Sequence, residues 1–385
     1  MSDNEKITGA ASKARSAVAL VFFVFGLNIG TWATHIPFAK ERLHASPGWF
    51  GASLLCMALG GVISMPAVGY MINRYGSARI VIVAAILSIL FLPLSFMASS
   101  LLTFSFALLL FGGALGALDV GMNAHGLAVE TAIKKPIMSS LHGIYSIAGL
   151  VGGAISAVLI GKIDEPHRAL ISCGFGLALV AYAIPRFLPA NIDKGKTDSP
   201  LAWPTPMTMG LGFLCLLAIM IEGATVDWSG IYLREAFSVS GHTTAMCFAA
   251  YSGGMAISRL LGDRARALWK PASLIRVCAL LTSLTLATAL MAGNSTFSLI
   301  AFAVSGLTLG PVAPLLFIAG GHAEPSHPSR GIASVTTLGY IGSVAGPPLV
   351  GSIAQASSLW IALFFIAAVS ALIAAAAPLV NSPEV

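Results

Sequence analysis

The sequence predicts an all-α membrane protein of twelve transmembrane helices arranged as two pseudo-symmetric halves of six. Three observations lead there. The chain is 57% hydrophobic and only 9% charged, with a mean hydropathy of +0.88, whereas soluble domains carry about 25% charged residues. Its apolar residues fall into runs of about 20, each long enough to cross roughly 30 Å of hydrocarbon as a helix. Finally, features of the first half recur in the second. Unbroken stretches such as Ile80–Ala98 and Ile361–Ala377 lack the alternation of a β-barrel strand, and helices satisfy every backbone group in lipid without a partner strand.

Breakers and charge clusters mark the ends of the spans. They place helices near 16–38, 49–72, 79–99, 101–131, 138–161 and 168–188, then near 207–234, 242–262, 272–292, 295–321, 330–355 and 357–379. The first follows Lys6, Lys13 and Arg15 and runs to Pro37 without a small-residue cleavage site, so it reads as a retained helix. The longest polar interval, Pro189–Pro206, separates the halves. The expected organisation is a cytoplasmic tail (1–15), a first bundle (16–190), a cytoplasmic linker (191–206), a second bundle (207–380) and a short cytoplasmic tail (381–385). With both termini inside, sixteen Lys and Arg lie at cytoplasmic ends against five outside: Lys40, Arg42, Lys162, Arg168 and Arg234. That asymmetry sets the orientation of a multi-pass protein of a bacterial inner membrane.

The halves correspond at an offset of about 190 residues. Asn73-Arg74 after the second span matches Asp263-Arg264 after the eighth, Glu130 matches Glu324, and the Gly-rich 149–161 matches 342–351. Parallel repeats of this kind characterise transporters built from two bundles. Spans one, four and seven carry Asn28, Trp32, Asp119, Asn123, Glu222 and Asp227, while spans three, six and twelve hold no titratable residue at their centres. Span ten offers Pro311 and Pro314 as breakers instead of charge.

The loop after span two reads Gly69-x-x-x-Asn73-Arg74-x-Gly76-x-x-Arg79 and resembles the loop motif of the major facilitator superfamily. Two further segments, Leu118-Asp119-Val120-Gly121-Met122-Asn123 with Glu130, and Glu222 through Ser229, are similar to the YbjJ-like and MosC-like branch. The resemblance implies two six-helix bundles facing a central cavity, alternating access, and a cytoplasmic charge cluster that holds the outward-facing state. MosC-like relatives imply a sugar-like or cyclitol-like solute. The loop has Asn73 where the family usually has Asp, its second copy has Arg259 in place of the first glycine, and span five lacks the Gly-Pro signature of the drug/proton antiporters.

The polar residues divide into three groups. Gly69, Asn73, Arg74, Gly76, Arg79, Glu130, Asp263, Arg264, Glu324 and Arg330 are the expected cytoplasmic latch, because opposite charges at helix ends can hold one conformation. Glu222 and Asp119, near mid-membrane, are the expected proton-coupling groups: a buried carboxyl that can exchange a proton when water enters suits that task. Asn28, Trp32, Asn123, His142, Asp227, Trp228, Thr336 and Tyr340 are the expected solute contacts, offering hydrogen bonds and ring stacking. Asp119, Asn123, Gly126 and Glu130 share one helix face at i, i+4, i+7 and i+11.

Other function classes fit poorly. There is no phosphate-binding Gly-rich loop with Lys-Ser/Thr. Pro325 and Pro328 break the helix that His322-x-Glu324-x-x-His327 would need as a metal site, and no cofactor is expected. The five cysteines lie singly inside apolar spans, and the basic residues form no stripe for nucleic acid. Asp119 and Asp227 lack the setting of an intramembrane protease dyad, so no enzyme is expected. The expectation is a monomeric, lipid-embedded secondary transporter for a small polar or amphipathic organic solute, coupled to protons. The competing reading is proton-driven efflux of drugs or other hydrophobic compounds.

Overall fold

Among the described residues, five helices begin where an oxygen-bearing side chain precedes the helix and accepts from the first turn's backbone N–H groups, which have no partner of their own. Ser100 and Thr103 form a capping box at the start of α4, Asp164 caps α6, Ser240 caps α8, Asn294 caps α10 and Ser358 caps α13. The His167 side chain donates to exposed Asp164 and holds that carboxyl below its ordinary range. The structure, a computed structural model, describes residues 3–135, 137–189 and 204–380; side chains at 3–12, 139, 263–264, 266–267 and 328–329 lie outside that description. The chain order is α1 (Asp3–Arg42), α2 (Pro47–Tyr75), α3 (Ser77–Met97), α4 (Leu101–Ile133), α5 (Met138–Leu159), α6 (Glu165–Ala183), α7 (Met209–Phe237), α8 (Gly241–Leu268), α9 (Pro271–Met291), α10 (Ser295–Leu309), α11 (Val312–Ala323), α12 (Pro328–Ala356) and α13 (Leu359–Ala376).

Helices α10 and α11 are one crossing, Ser295–Ala323, interrupted at Gly310-Pro311. Pro311 has no N–H to continue α10, whereas Pro314 sits in the first turn of α11, where the missing donor costs nothing. Among the described residues, ten helices are long and apolar enough to cross a membrane. The other two, α8 and α12, are 28 and 29 residues long; each reaches across the hydrocarbon at 1.5 Å per residue. Their lower apolarity comes from Arg259 and its neighbouring charges in α8 and from Gly, Ser and Thr in α12.

The chain divides into two compact units. One gathers residues up to His35 with those from Cys56 to the linker, and the other gathers Ile36–Leu55 with everything after the linker. Within each, the same packing recurs. A side chain at Gly112 would meet the Met57 carbonyl oxygen at 1.9 Å, and one at Gly306 would meet the Tyr251 carbonyl oxygen at 2.1 Å. Gly60 abuts the Leu109 carbonyl just as Gly254 abuts that of Ala303. Every corresponding pair is 194 positions apart, so α2 on α4 and α8 on α10 are one arrangement built twice, with backbones close enough to exclude any Cβ. Likewise α3 packs on α4 and α6, as α9 packs on α10 and α13. The fold is thus two pseudo-symmetric six-helix bundles. A core of Val21, Phe22, Val81, Ile89, Leu118 and Met122 fills the first unit.

Candidate functional site

In the first unit, the i, i+4 spacing of Asp119 and Asn123 on α4 brings the two side chains together. Asn123 Nδ2 donates to Asp119 Oδ1 at 3.1 Å and to the Asp119 carbonyl oxygen at 2.9 Å. His142 Nε2 of α5 donates to Asn123 Oδ1 at 3.1 Å. The amide therefore bridges a carboxylate in the middle of α4 and an imidazole near the start of α5. His142 is exposed, Asp119 and Asn123 half-buried, and the Phe22 ring meets His142 edge-on at 5.2 Å.

In the second unit, Glu222 Oε1 of α7 lies 3.6 Å from Arg259 Nη2 of α8, with side chains 31% and 24% exposed. Arg259 is the residue that sequence reasoning missed: it registered only as a departure from a glycine and as one of the basic residues counted at cytoplasmic ends, just ahead of the other charges of α8. Asp227 and Tyr340 are half-buried, and the Thr336 hydroxyl is committed to the Ile332 carbonyl at 2.8 Å.

Three residues expected to contact solute are interior instead. Asn28 is 1% exposed and donates to Ser88 Oγ at 3.1 Å, joining α1 to α3. Trp32 is 2% exposed among Phe104, Phe111 and His35. Trp228 is fully buried and meets Phe50 edge-on at 6.1 Å. Large rings and a hydrogen-bonded amide gain more from close packing than from facing water.

The expected cytoplasmic latch also differs. Glu130 Oε2 accepts from the backbone N–H of Ile137 at 2.6 Å and of Met138 at 3.0 Å, capping α5. Glu324 Oε1 accepts from the Thr205 hydroxyl at 2.6 Å, just ahead of α7. Among the described residues, neither carboxylate forms an ion pair with Arg74, Arg79 or Arg330; one oxygen of each accepts instead from neutral donors at the adjoining helix ends. Asn73, Arg74, Arg79 and Arg330 are exposed and Gly69 is buried; the side chains of Asp263 and Arg264 lie outside the described residues. Gly76, at φ 83°, makes the turn from α2 into α3.

A second feature invisible in the sequence is a pair of ion pairs at the other end of the second unit. Lys40 meets Glu235 at 2.5 Å, and Arg234 meets Glu41 at 2.5 Å. They join the end of α1 to the end of α7, and the Gln355 side chain accepts from the Gly48 N–H at 3.4 Å.

The Major Facilitator Superfamily model matches residues 208–384. An uncharacterized MFS-type transporter of Yersinia pestis is 33% identical over 365 residues, covering 93% of both chains. The membrane protein MosC of Rhizobium meliloti is 31% identical over 94% of this chain and 88% of that one. Among solved structures, the nucleoside transporter NupG superposes with a TM-score of 0.78 at 11% identity, over 96% of this chain and 100% of that one. A bacterial homologue of the human lysosomal transporter Spinster, inward-facing and occupied, gives 0.73 at 14% identity, over 97% of this chain and 99% of that one. These likenesses agree with the twelve crossings and the doubled packing, and they place the protein among multi-pass membrane transporters of small solutes rather than among enzymes. The chain therefore belongs to the major facilitator superfamily and, within it, to the branch that contains MosC.

Proposed function

We propose that this chain is a proton-coupled secondary transporter that moves a small polar or amphipathic organic solute, sugar-like or cyclitol-like, across a bacterial inner membrane by alternating access. It works as a monomer surrounded by lipid, with both termini cytoplasmic. The observation that carries this reading is the pair of polar constellations within the bundles, Asp119–Asn123–His142 in one unit and Glu222–Arg259 in the other. Charged groups at this depth cost about 3 kcal/mol each and face protein or a water-filled path. A path meant for wholly apolar compounds needs neither constellation, which favours polar solutes over general drug efflux.

Glu222 is the principal coupling group and Asp119 the second. Arg259 Nη2 faces the Glu222 carboxylate at 3.6 Å, so solute or water arriving there meets both groups. Asn123 and His142 supply hydrogen bonds to solute hydroxyls, with Asp227 and Tyr340 as further polar contacts. Uptake or counterflow in proteoliposomes, with and without an imposed proton gradient, tests the reading. Gradient-dependent accumulation of one polar solute is expected, and peptide cleavage without flux would refute it.

A further inference from the structure

One face of α7 stays partly open along its length. Leu216, Ile219, Gly223, Asp227, Gly230 and Arg234 are all half-buried and follow one another at spacings of three or four, so they form a single line on the helix. Towards the Phe237 end, this line runs into a cavity of about 240 Å³ bounded by Pro37, Lys40, Glu41, Ile231, Arg234 and Glu235. One turn on the other side of Asp227, a Cβ added at Gly223 would meet no atom within 4 Å. Open space therefore lies on both sides of Asp227 along the line.

Among the described residues, Asp227 forms no hydrogen bond and no ion pair. The charges around it are engaged elsewhere or lie at another depth. On α7, Arg234 is paired with Glu41, and Lys40 of α1 with Glu235; Arg42 also has its own interactions. On α8, Arg259 faces Glu222 and has a further interaction besides. Because α8 runs back from Gly241, Arg259 sits about 12 Å further along the bundle than Asp227 at 1.5 Å per residue. Asp263, Arg264 and Arg266 follow it, further still. The other helices that pack on α7 are α10, α11, α12 and α13. From residue 295 to residue 376 their ionisable acids and bases are Glu324, Arg330, His322 and His327, all near the start of α12. The remaining histidines of this unit, His44 and His242, lie beyond the Phe237 end of α7. Nor does the architecture require a carboxyl here, since α1, the counterpart of α7 in the repeat, has no Asp or Glu from residue 16 to residue 40.

A carboxyl at this depth lacks a partner in either form. Ionised, its oxygens need donors and its charge needs a counter-charge; protonated, its O–H needs an acceptor. Among the described residues no group of three His, Cys, Asp or Glu side chains could cage a metal ion. A neutral solute brings hydrogen bonds without charge. A protonated amine brings three N–H donors and one positive charge together. We propose that Asp227 recognises a protonated amino group on the transported solute. The assignment rests on the transporter reading and narrows the solute to a small polyhydroxylated amine.

The test is binding and counterflow by purified, full-length protein with matched pairs: glucosamine against glucose, glucamine against sorbitol, and serinol against glycerol. At least one amine is expected to bind about ten-fold or more tightly than its neutral partner, the scale of a hydrogen bond to a charged group. N-acetylglucosamine, which keeps the nitrogen but carries no charge, is expected to bind no better than glucose. Asp227→Asn is expected to remove the preference for amines, and Asp227→Glu, the conservative variant should the first fail to fold, to weaken it several-fold. Equal binding of amines and neutral partners, as a carboxyl that is only hydrated or only protonated would give, overturns the assignment while leaving the transporter reading intact. An amine preference unchanged in both variants does the same. No solute-dependent flux with any compound overturns both.

Discussion

Single residues carry two kinds of work here, making the fold and making the site. Gly76 belongs to the first. Its φ of 83° is a conformation that costs an L side chain about 1–2 kcal/mol, and the turn it makes starts α3. Gly76→Ala is therefore expected to lower the apparent Tm in detergent by several degrees, and an unchanged Tm would show that the turn relaxes at no cost. Glu130 belongs there too, since its carboxylate holds the first backbone donors of α5. Glu130→Gln keeps the shape and loses the charge, and is expected to cost about 1 kcal/mol, read as a modest fall in Tm without loss of solute binding. The Asp119–Asn123 bond was legible from spacing alone, because two residues four apart on a helix must meet. His142 was legible only as a polar residue on its own face; its bond to Asn123 depends on how α5 packs on α4.

At the scale of elements, local rules were readable and tertiary pairings were not. Caps, breakers and the interruption at Pro311 follow from the chemistry of a few adjacent residues, and the sequence marks them. Lys40 and Glu235 are 195 positions apart, and no local rule joins them; in the sequence, Lys40 and Arg234 counted only as exceptions to the cytoplasmic excess of positive charge. Each has an acidic partner in the structure, which explains how basic residues are tolerated at that end. Exposed pairs of this kind contribute no more than about 1 kcal/mol, so their effect is expected on conformational exchange more than on stability. Glu41→Arg is expected to change the counterflow rate several-fold by placing like charges together, and Glu41→Arg with Arg234→Glu to restore it. A double variant as impaired as the single would show that the pairing itself is not what matters.

For the whole molecule, the doubled architecture was legible from the sequence as an offset of about 190 residues, and the packing of glycines against carbonyls sharpens it to 194. The division of charge between the halves was harder to read, because Arg259 breaks the repeat and looked like a defect in a loop motif. Once α7 and α8 are packed, the same residue lies 3.6 Å from Glu222, the group to which the proposed function gives the coupling role. The proposed orientation, which rests on sixteen Lys and Arg at the inner ends against five outside, expects the 191–206 linker in the cytoplasm. Phosphatase fusions at the linker and at the C-terminus are expected to be inactive, and periplasmic activity from either would overturn the topology. The central claim is that Glu222 couples proton movement to solute movement. Its most direct measurement is solute accumulation in proteoliposomes under an imposed proton gradient, comparing the wild type with Glu222→Gln, which keeps the hydrogen-bonding shape but cannot titrate. The account predicts that the variant loses uphill accumulation while retaining solute exchange; undiminished uphill accumulation with an unchanged pH profile would contradict it.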